Sequence, residues 1–280
     1  MTEEYEKTGY LNHDFRLFHL KDIVKKEYTY HYHDFDKIII FISGKVKYII
    51  EGKTYELKTY DIVFVNRKEI HKPEVDFSVP YERYVLYIST EFLEQYKTES
   101  YSLRECFEKA NREKANVIQV SAAQNTKLMQ NIRELEKSLG EKAYAGELYG
   151  RALFLQFMIQ LNRACKEDEV KYNHSIRYNQ KIVDILDFIN ENLYKELSVE
   201  KIADTFFVSK YHMMRQFKEE TGYTVHQYIT EKRILAARDM ILDGVPATKA
   251  CLECGFRDYS TFSRAFKNRL KKSPSELLAE

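Results

Sequence analysis

The sequence predicts an α+β chain of two domains. A strand-rich barrel or sandwich with flanking helices comes first. An all-helical domain follows, made of two helix-turn-helix units joined by a connector helix. Three observations predict this. Short segments rich in Ile, Val, Tyr and Phe crowd residues 28–90. Helical periodicity takes over after about residue 90. One pattern then occurs twice, about 49 residues apart, as "VSKYHMMRQFKEETGYT" (208–224) and "GFRDYSTFSRAFKNRLKKSP" (255–274).

Length and composition set the frame. With 280 residues, 44% of them hydrophobic, the chain can bury two modest cores. Charged residues make up 31% but leave a net charge of only +1, so any attraction to a polyanion must come from a local patch. The opening "MTEEYEKTGY" lacks the basic start and apolar run of a signal peptide. No stretch has the roughly 18–20 consecutive apolar residues of a membrane span. Cys106, Cys165, Cys251 and Cys254, in a chain of this size without a secretion signal, predict a reduced, cytoplasmic protein.

The strands are "KIIIFIS" (37–43), "KVKYIIEG" (45–52), "TYEL" (54–57), "DIVFV" (61–65) and "YERYVLYIS" (81–89), separated by the turn signals "SGK", "EGK", "NRKE" and "KPE". Their number and close spacing suit an antiparallel barrel or sandwich. Next, "NTKLMQNIRELEKSLG" (125–140) places Leu128, Ile132, Leu135 and Leu139 on one helix face. "GELYGRALFLQFMIQLNRA" (146–164) repeats this with Leu148, Ala152, Leu155 and Ile159, and is apolar over more than one stripe. It is therefore expected to be buried on two sides, within the core or against a second subunit. "CKEDEVKYNHSIRY" (165–178) is polar and breaks the periodicity. The expected division is a first domain over 1–170, a linker over 171–179 and a second domain over 180–280.

The two copies align Phe217 with Phe266, Arg215 with Arg264, Met213 with Phe262 and Lys218 with Lys267. A short helix precedes each, "SVEKIADTF" (198–206) or "ATKACLECGF" (247–256). A hydroxyl and a partner three residues on follow each: Thr224 with Gln227, and Ser273 with Glu276. These are capping boxes that open another helix. Met213 and Phe217, like Phe262 and Phe266, are i,i+4 pairs and point inward. The opposite face offers Lys210, Tyr211, Met214 and Arg215 in the first copy. In the second it offers Tyr259, Ser260, Ser263 and Arg264. Arg, Ser, Tyr and apolar atoms on an exposed helix suit the donor, acceptor and methyl pattern of a DNA major groove. Arg257 to Lys272 carries six basic residues and one acidic, and within it Lys267 is placed to meet phosphate. Two recognition helices on a rigid connector over 228–242 can serve successive grooves, about 34 Å apart.

On these residues the chain resembles the AraC-type transcription regulators. The likeness covers 180–280 and includes Ala203, the Arg233 and Ala237 pair, and Gly255 with Phe256. It implies a double-stranded DNA partner; contact with RNA polymerase, and a homodimer supported by the helices between residues 91 and 165, are also expected. Two positions depart from the pattern: Cys251 stands for Ala, and Lys271 stands for a Gly that would match Gly222. A non-Gly residue in a left-handed cap costs on the order of 1 kcal/mol.

"HYHDFDKIIIFISGKVKYIIEGKTYELKTYDIVFVNRKEIH" resembles, more loosely, the cupin-like sensor domain that often precedes this DNA-binding domain. That resemblance implies a small polar effector, such as a sugar, inside the barrel. His31, His33, Tyr48, His71 and Tyr87 are its candidate contacts, with Tyr60 and Phe64 as further wall residues. The three histidines also raise a metal. Metal-binding cupins usually add a carboxylate where Lys37 stands, and a cation there repels a metal, so neither metal nor cofactor is expected. Cys251 and Cys254 form a lone C-x-x-C at positions that need small apolar residues and are expected in the core. Three functions remain in competition: an effector-responsive DNA-binding regulator that is not an enzyme, a metal-dependent cupin enzyme with a helical appendage, and a DNA-binding regulator with no effector.

Overall fold

A computed structural model describes residues 11, 13–23, 27–167, 169–174 and 177–278. The N-terminal decapeptide lies outside the described residues. The chain divides into two compact units, 1–177 and 178–280.

The first unit holds two sheets. Strands β1 (Phe15–Asp22), β2 (Asp36–Ser43), β5 (Ile62–Val65), β7 (Tyr81–Ile88), β8 (Val117–Val120) and β9 (Val170–Asn173) form one, in the order β1-β7-β2-β5-β8-β9. Strands β3 (Val46–Ile50), β4 (Lys53–Glu56) and β6 (His71–Val75) run β4-β3-β6 in the other. All pairings within these sets are antiparallel. The β3–β4 hairpin turns on Glu51 and Gly52, both at positive φ, which the "EGK" signal foreshadows. Gly44 turns the chain between β2 and β3 at φ +130°, where a Cβ would stand 3.1 Å from the Pro80 carbonyl.

The uninterrupted "IIIFI" of β2 has a physical reason: its sheet is covered on both faces. Ile38 and Ile40 pack with Phe64, Leu86, Phe107 and the helices, while Ile39 and Phe41 pack with Tyr48, Ile50 and Tyr55 of the second sheet. The covering helices are α1 (Thr90–Glu94), α2 (Glu105–Arg112), α3 (Ala122–Gly140) and α4 (Gly146–Lys166). On α3, Leu128, Ile132 and Leu135 are buried as the periodicity predicts, but Leu139 is exposed near the helix end. On α4 the buried stripe is Leu153, Phe154, Phe157, Met158 and Leu161. Most of the stripe expected from sequence faces outward instead: Leu148 is 69% and Ile159 41% exposed and Ala152 is exposed, while Leu155 packs against the core. With apolar residues on more than one stripe of α4, the sheet it docks on decides which stripe is buried. The expected linker also begins too early, since residues 170–173 form β9 against β8.

The second unit is helical: α5 (Gln180–Glu191), α6 (Val199–Thr205), α7 (Lys210–Thr221), α8 (Val225–Leu242), α9 (Ala247–Glu253) and α10 (Tyr259–Leu270), then a 3-10 turn at Glu276–Leu278. Thr224 and Gln227 make the reciprocal capping box at the start of α8. Ser273 and Glu276 bond each other's backbone N–H at the last turn. Cys251 and Cys254 are buried with Phe262 and Phe266 around α8.

Candidate nucleic-acid interface and barrel cavity

In each helix-turn-helix copy the second helix buries one face and presents the other. Met213 and Phe217 of α7 are buried, and the Phe217 ring meets Tyr228 of α8 edge-on at 5.5 Å. Phe262 and Phe266 of α10 are buried likewise. Lys210, Tyr211, Met214 and Arg215 are exposed on α7. Tyr259, Ser260, Arg264 and Lys267 are exposed on α10, with Ser263 half-buried among them. The adjacent methionines divide as expected, Met213 inward and Met214 outward. Asp258 caps α10 by accepting from the Thr261 N–H at 2.7 Å, and those bonds hold its carboxyl below the usual range.

Intramolecular carboxylates already meet part of this basic surface. Lys210 pairs with Glu200, Arg257 with Glu196, and Arg269 with Glu231 at 2.7 Å. Sequence alone did not reveal these ties, because the partners are 10 to 61 residues away. It also gave no role to the Arg233 side chain. Its guanidinium donates to the Leu193, Gly255 and Lys195 carbonyls at 2.9, 2.7 and 2.7 Å, tying α8 to the turn before α10 and to the segment after α5. One planar fork satisfies three backbone acceptors, which a lysine cannot match.

In the first unit, the three histidines converge. Ligand-capable atoms of His31, His33 and His71 all lie within 4.8 Å of one another. The His31 and His71 Nδ1 atoms sit 2.8 and 2.9 Å from the Thr29 and Glu69 carbonyls. A carbonyl only accepts, so each Nδ1 carries a proton, and on the neutral His71 ring Nε2 keeps its lone pair. The Lys37 Nζ lies 3.4 Å from His33 Nε2 and 3.3 Å from His71 Nε2, and 5.7 Å from the Tyr87 ring centre. The set does not fit a metal, because the Lys37 amine stands on the Nε2 atoms of His33 and His71, where a metal would have to sit. Burial, and secondarily the Arg83 charge, pull the Lys37 amine down to about 7. Burial, and then Lys37, push His33 and His71 well below the usual histidine range, so both stay neutral.

Beside this cluster lies a cavity of about 20 Å³ lined by Tyr28, His31, Lys37, Tyr48, Tyr81 and Arg83, among others. Of the sequence-predicted effector contacts, His31 and Tyr48 line it. His33, His71 and Tyr87 surround Lys37. Two expected wall residues lie elsewhere. Tyr60 is exposed in the turn before β5, and Phe64 points to the helix side of its sheet. Lys37 and Arg83 were missed as wall residues. Their signal was a charge embedded in each of two apolar strand runs, "DKIIIFIS" and "YERYVLYI".

Comparison with known proteins places both units. The family model described as "AraC-like ligand binding domain" matches residues 20–158, and the "Helix-turn-helix domain" model matches 202–280. The HTH-type transcriptional activator RhaS of Enterobacter sp. (strain 638) is 25% identical over 248 residues, covering 88% of this chain and 86% of that protein. RhaS of Escherichia coli (strain K12 / DH10B) is 22% identical over 252 residues, covering 90% and 87%. Among solved structures, ToxT from Vibrio cholerae aligns over 95% of this chain and 98% of its own, at 16% identity and TM-score 0.36. The AdpA DNA-binding domain in complex with a target DNA aligns over 34% of this chain and 87% of its own, at 24% identity and TM-score 0.33. With an AraC-like ligand-binding unit followed by a DNA-binding helix-turn-helix unit, this chain belongs to the AraC-type family of transcription regulators.

Proposed function

We propose that α7 and α10 read DNA through Lys210, Tyr211, Met214 and Arg215, and through Tyr259, Ser260, Ser263 and Arg264, while Lys267 meets phosphate. One observation carries this reading. Both copies bury the same two helix positions, Met213 with Phe217 and Phe262 with Phe266, and leave the opposite faces open. The curated relatives are named activators, and on that ground the reading includes contact with RNA polymerase. The barrel binds a small polar effector. The effector acts by favouring one arrangement of the DNA-binding units over another, which requires different affinity for the two. This activity makes the chain a regulator and not an enzyme. The four cysteine thiols are buried and unbridged, which suits a reducing cytoplasm.

The outward stripe of α4 supports a homodimer. Leu148, Tyr149 and Ile159 are all exposed on this one helix, and large apolar side chains left to solvent along a helix suit an interaction surface. Leu148→Glu should then leave folding intact and shift the sedimentation coefficient from dimer to monomer. A dimer that tolerates this charge pairs through another surface.

Selection of duplexes from a random DNA pool at physiological salt tests the DNA reading. The expected result is a motif of two elements about one helical turn apart. An unselective pool, with and without cell metabolites present, would remove it.

A further inference from the structure

Resting on the reading that the barrel senses an effector, we propose that its cavity takes the acidic head group of a small metabolite, a carboxylate or a phosphate, seated on Lys37 with Arg83 beside it. The named wall residues include two cations and no carboxylate. Lys37 is 2% exposed and Arg83 7%. Among the described residues Lys37 has no carboxylate partner inside the barrel, so its buried amine holds its charge fully only when an acid sits beside it. Its hydrogen-bond partners are two neutral imidazoles, His33 and His71. The carboxylate next to it in sequence cannot help. Asp36 points to the opposite face of β2, where Arg104, Thr90 Oγ1 and the Arg67 N–H saturate it. Arg83 does have a counter-ion, Asp22, but that carboxylate is half exposed.

The rest of the wall suits an acid. The Tyr28 hydroxyl lies 3.4 Å from Arg83 Nη2, at the same end of the cavity. Size points the same way. About 20 Å³ admits one water, or two at most. Only the acid head therefore enters, and the body of the metabolite stays outside the cavity.

Calorimetry and thermal shift on the full chain test this with pyruvate, malate, inorganic phosphate and glucose 6-phosphate. Glucose and xylose serve as neutral comparators, and sodium chloride matches the ionic strength. At least one acid should bind saturably and raise the midpoint of unfolding. Lys37→Met should weaken that binding at least tenfold, while Lys37→Arg keeps part of it. Carboxylates and phosphates are separated by which arm responds. Lys37→Met removes a buried charge and should fold, and Arg83→Gln gives a second variant if it does not. Acid binding indifferent to both variants would overturn the assignment. Saturable glucose or xylose binding with no acid response would also overturn it, yet leave the sensor reading standing. Silence from every probe overturns it too. A shift produced by a fractionated metabolite extract then decides separately whether the barrel senses anything.

Discussion

The two helix-turn-helix copies use the same backbone and satisfy it with different residues. The first helices, α6 and α9, align at an offset of 48 residues and the recognition helices α7 and α10 at 49, so the second turn is one residue longer. Each copy needs a left-handed backbone twice, once in the turn and once in the cap after the recognition helix. The first copy puts Phe207 (φ 51°) in the turn and Gly222 (φ 75°) at the cap. The second puts Gly255 (φ 81°) in the turn and Lys271 (φ 61°) at the cap. Each copy therefore has glycine at one of the two positions only. The local surroundings decide which. A Cβ on Gly255 would meet Arg233 Cζ at 2.9 Å and the Tyr194 carbonyl at 3.1 Å, whereas Phe207 is 93% exposed and meets no such crowding. The fold fixes the conformation, and the neighbours decide whether a side chain can share it.

The largest expected effects fall on the crowded turn. Arg233→Ala removes charge-assisted bonds to three carbonyls and should destabilise the helical unit by about 3 kcal/mol. Gly255→Ala should cost about 2 kcal/mol, from its positive φ and the displaced guanidinium. Phe207→Ala at the equivalent position should stay within about 0.5 kcal/mol. Hydrogen exchange along α8 and α9 in the full chain reads all three locally. A loss for Gly255→Ala no larger than the roughly 1 kcal/mol of left-handed strain alone would break the comparison, because it would mean that conformation rather than crowding sets the cost.

Charge separates the copies further. Residues 257–272 carry six basic and one acidic residue, and the matching 208–223 carry three basic and two acidic. Arg215→Ala and Arg264→Ala should each weaken specific binding by about 1–3 kcal/mol and relax one base pair. Lys267→Ala should weaken binding to every sequence and reduce the salt slope by about 1. Lys218→Ala should change the slope less, because Glu219 and Glu220 follow it directly. Binding measured from low to physiological salt decides this. Equal slopes for the two lysine variants would show that the copies meet the backbone alike.

These contrasts also separate what was legible in the sequence from what was not. Local features could be read: the Thr224 and Ser273 caps, and the inward pairs Met213 with Phe217 and Phe262 with Phe266. Each depends on residues within four positions of one another. Choices made by distant packing could not. The buried stripe of α4 is selected by the sheet it docks on, and β9 is a polar edge strand recognisable only from its partner β8. Lys37 showed in the sequence only as a residue unfit for a metal. Its place in the cavity follows from the period of two along β2, which puts it on the same face as Ile39 and opposite Asp36.

The smallest expected effect sharpens the comparison most. At Lys271 the left-handed cap is kept despite the side chain, with its N–H bonded to the Lys267 carbonyl at 2.9 Å. Lys271→Gly should relieve up to about 1 kcal/mol of backbone strain, less the chain entropy glycine adds to the unfolded state, for a net gain of a few tenths. Phe207→Gly should gain a similar amount. The two then differ in what they touch. Lys271 lies at the basic end of α10, so its replacement should also lower affinity for all DNA sequences, whereas Phe207 carries no charge. A gain in stability at both sites, with weaker DNA binding only for Lys271→Gly, would mean that strain at this cap is tolerated for the sake of a phosphate contact. Unchanged DNA affinity would assign the lysine no role in binding, and the second copy would then simply tolerate at its cap what the first tolerates in its turn.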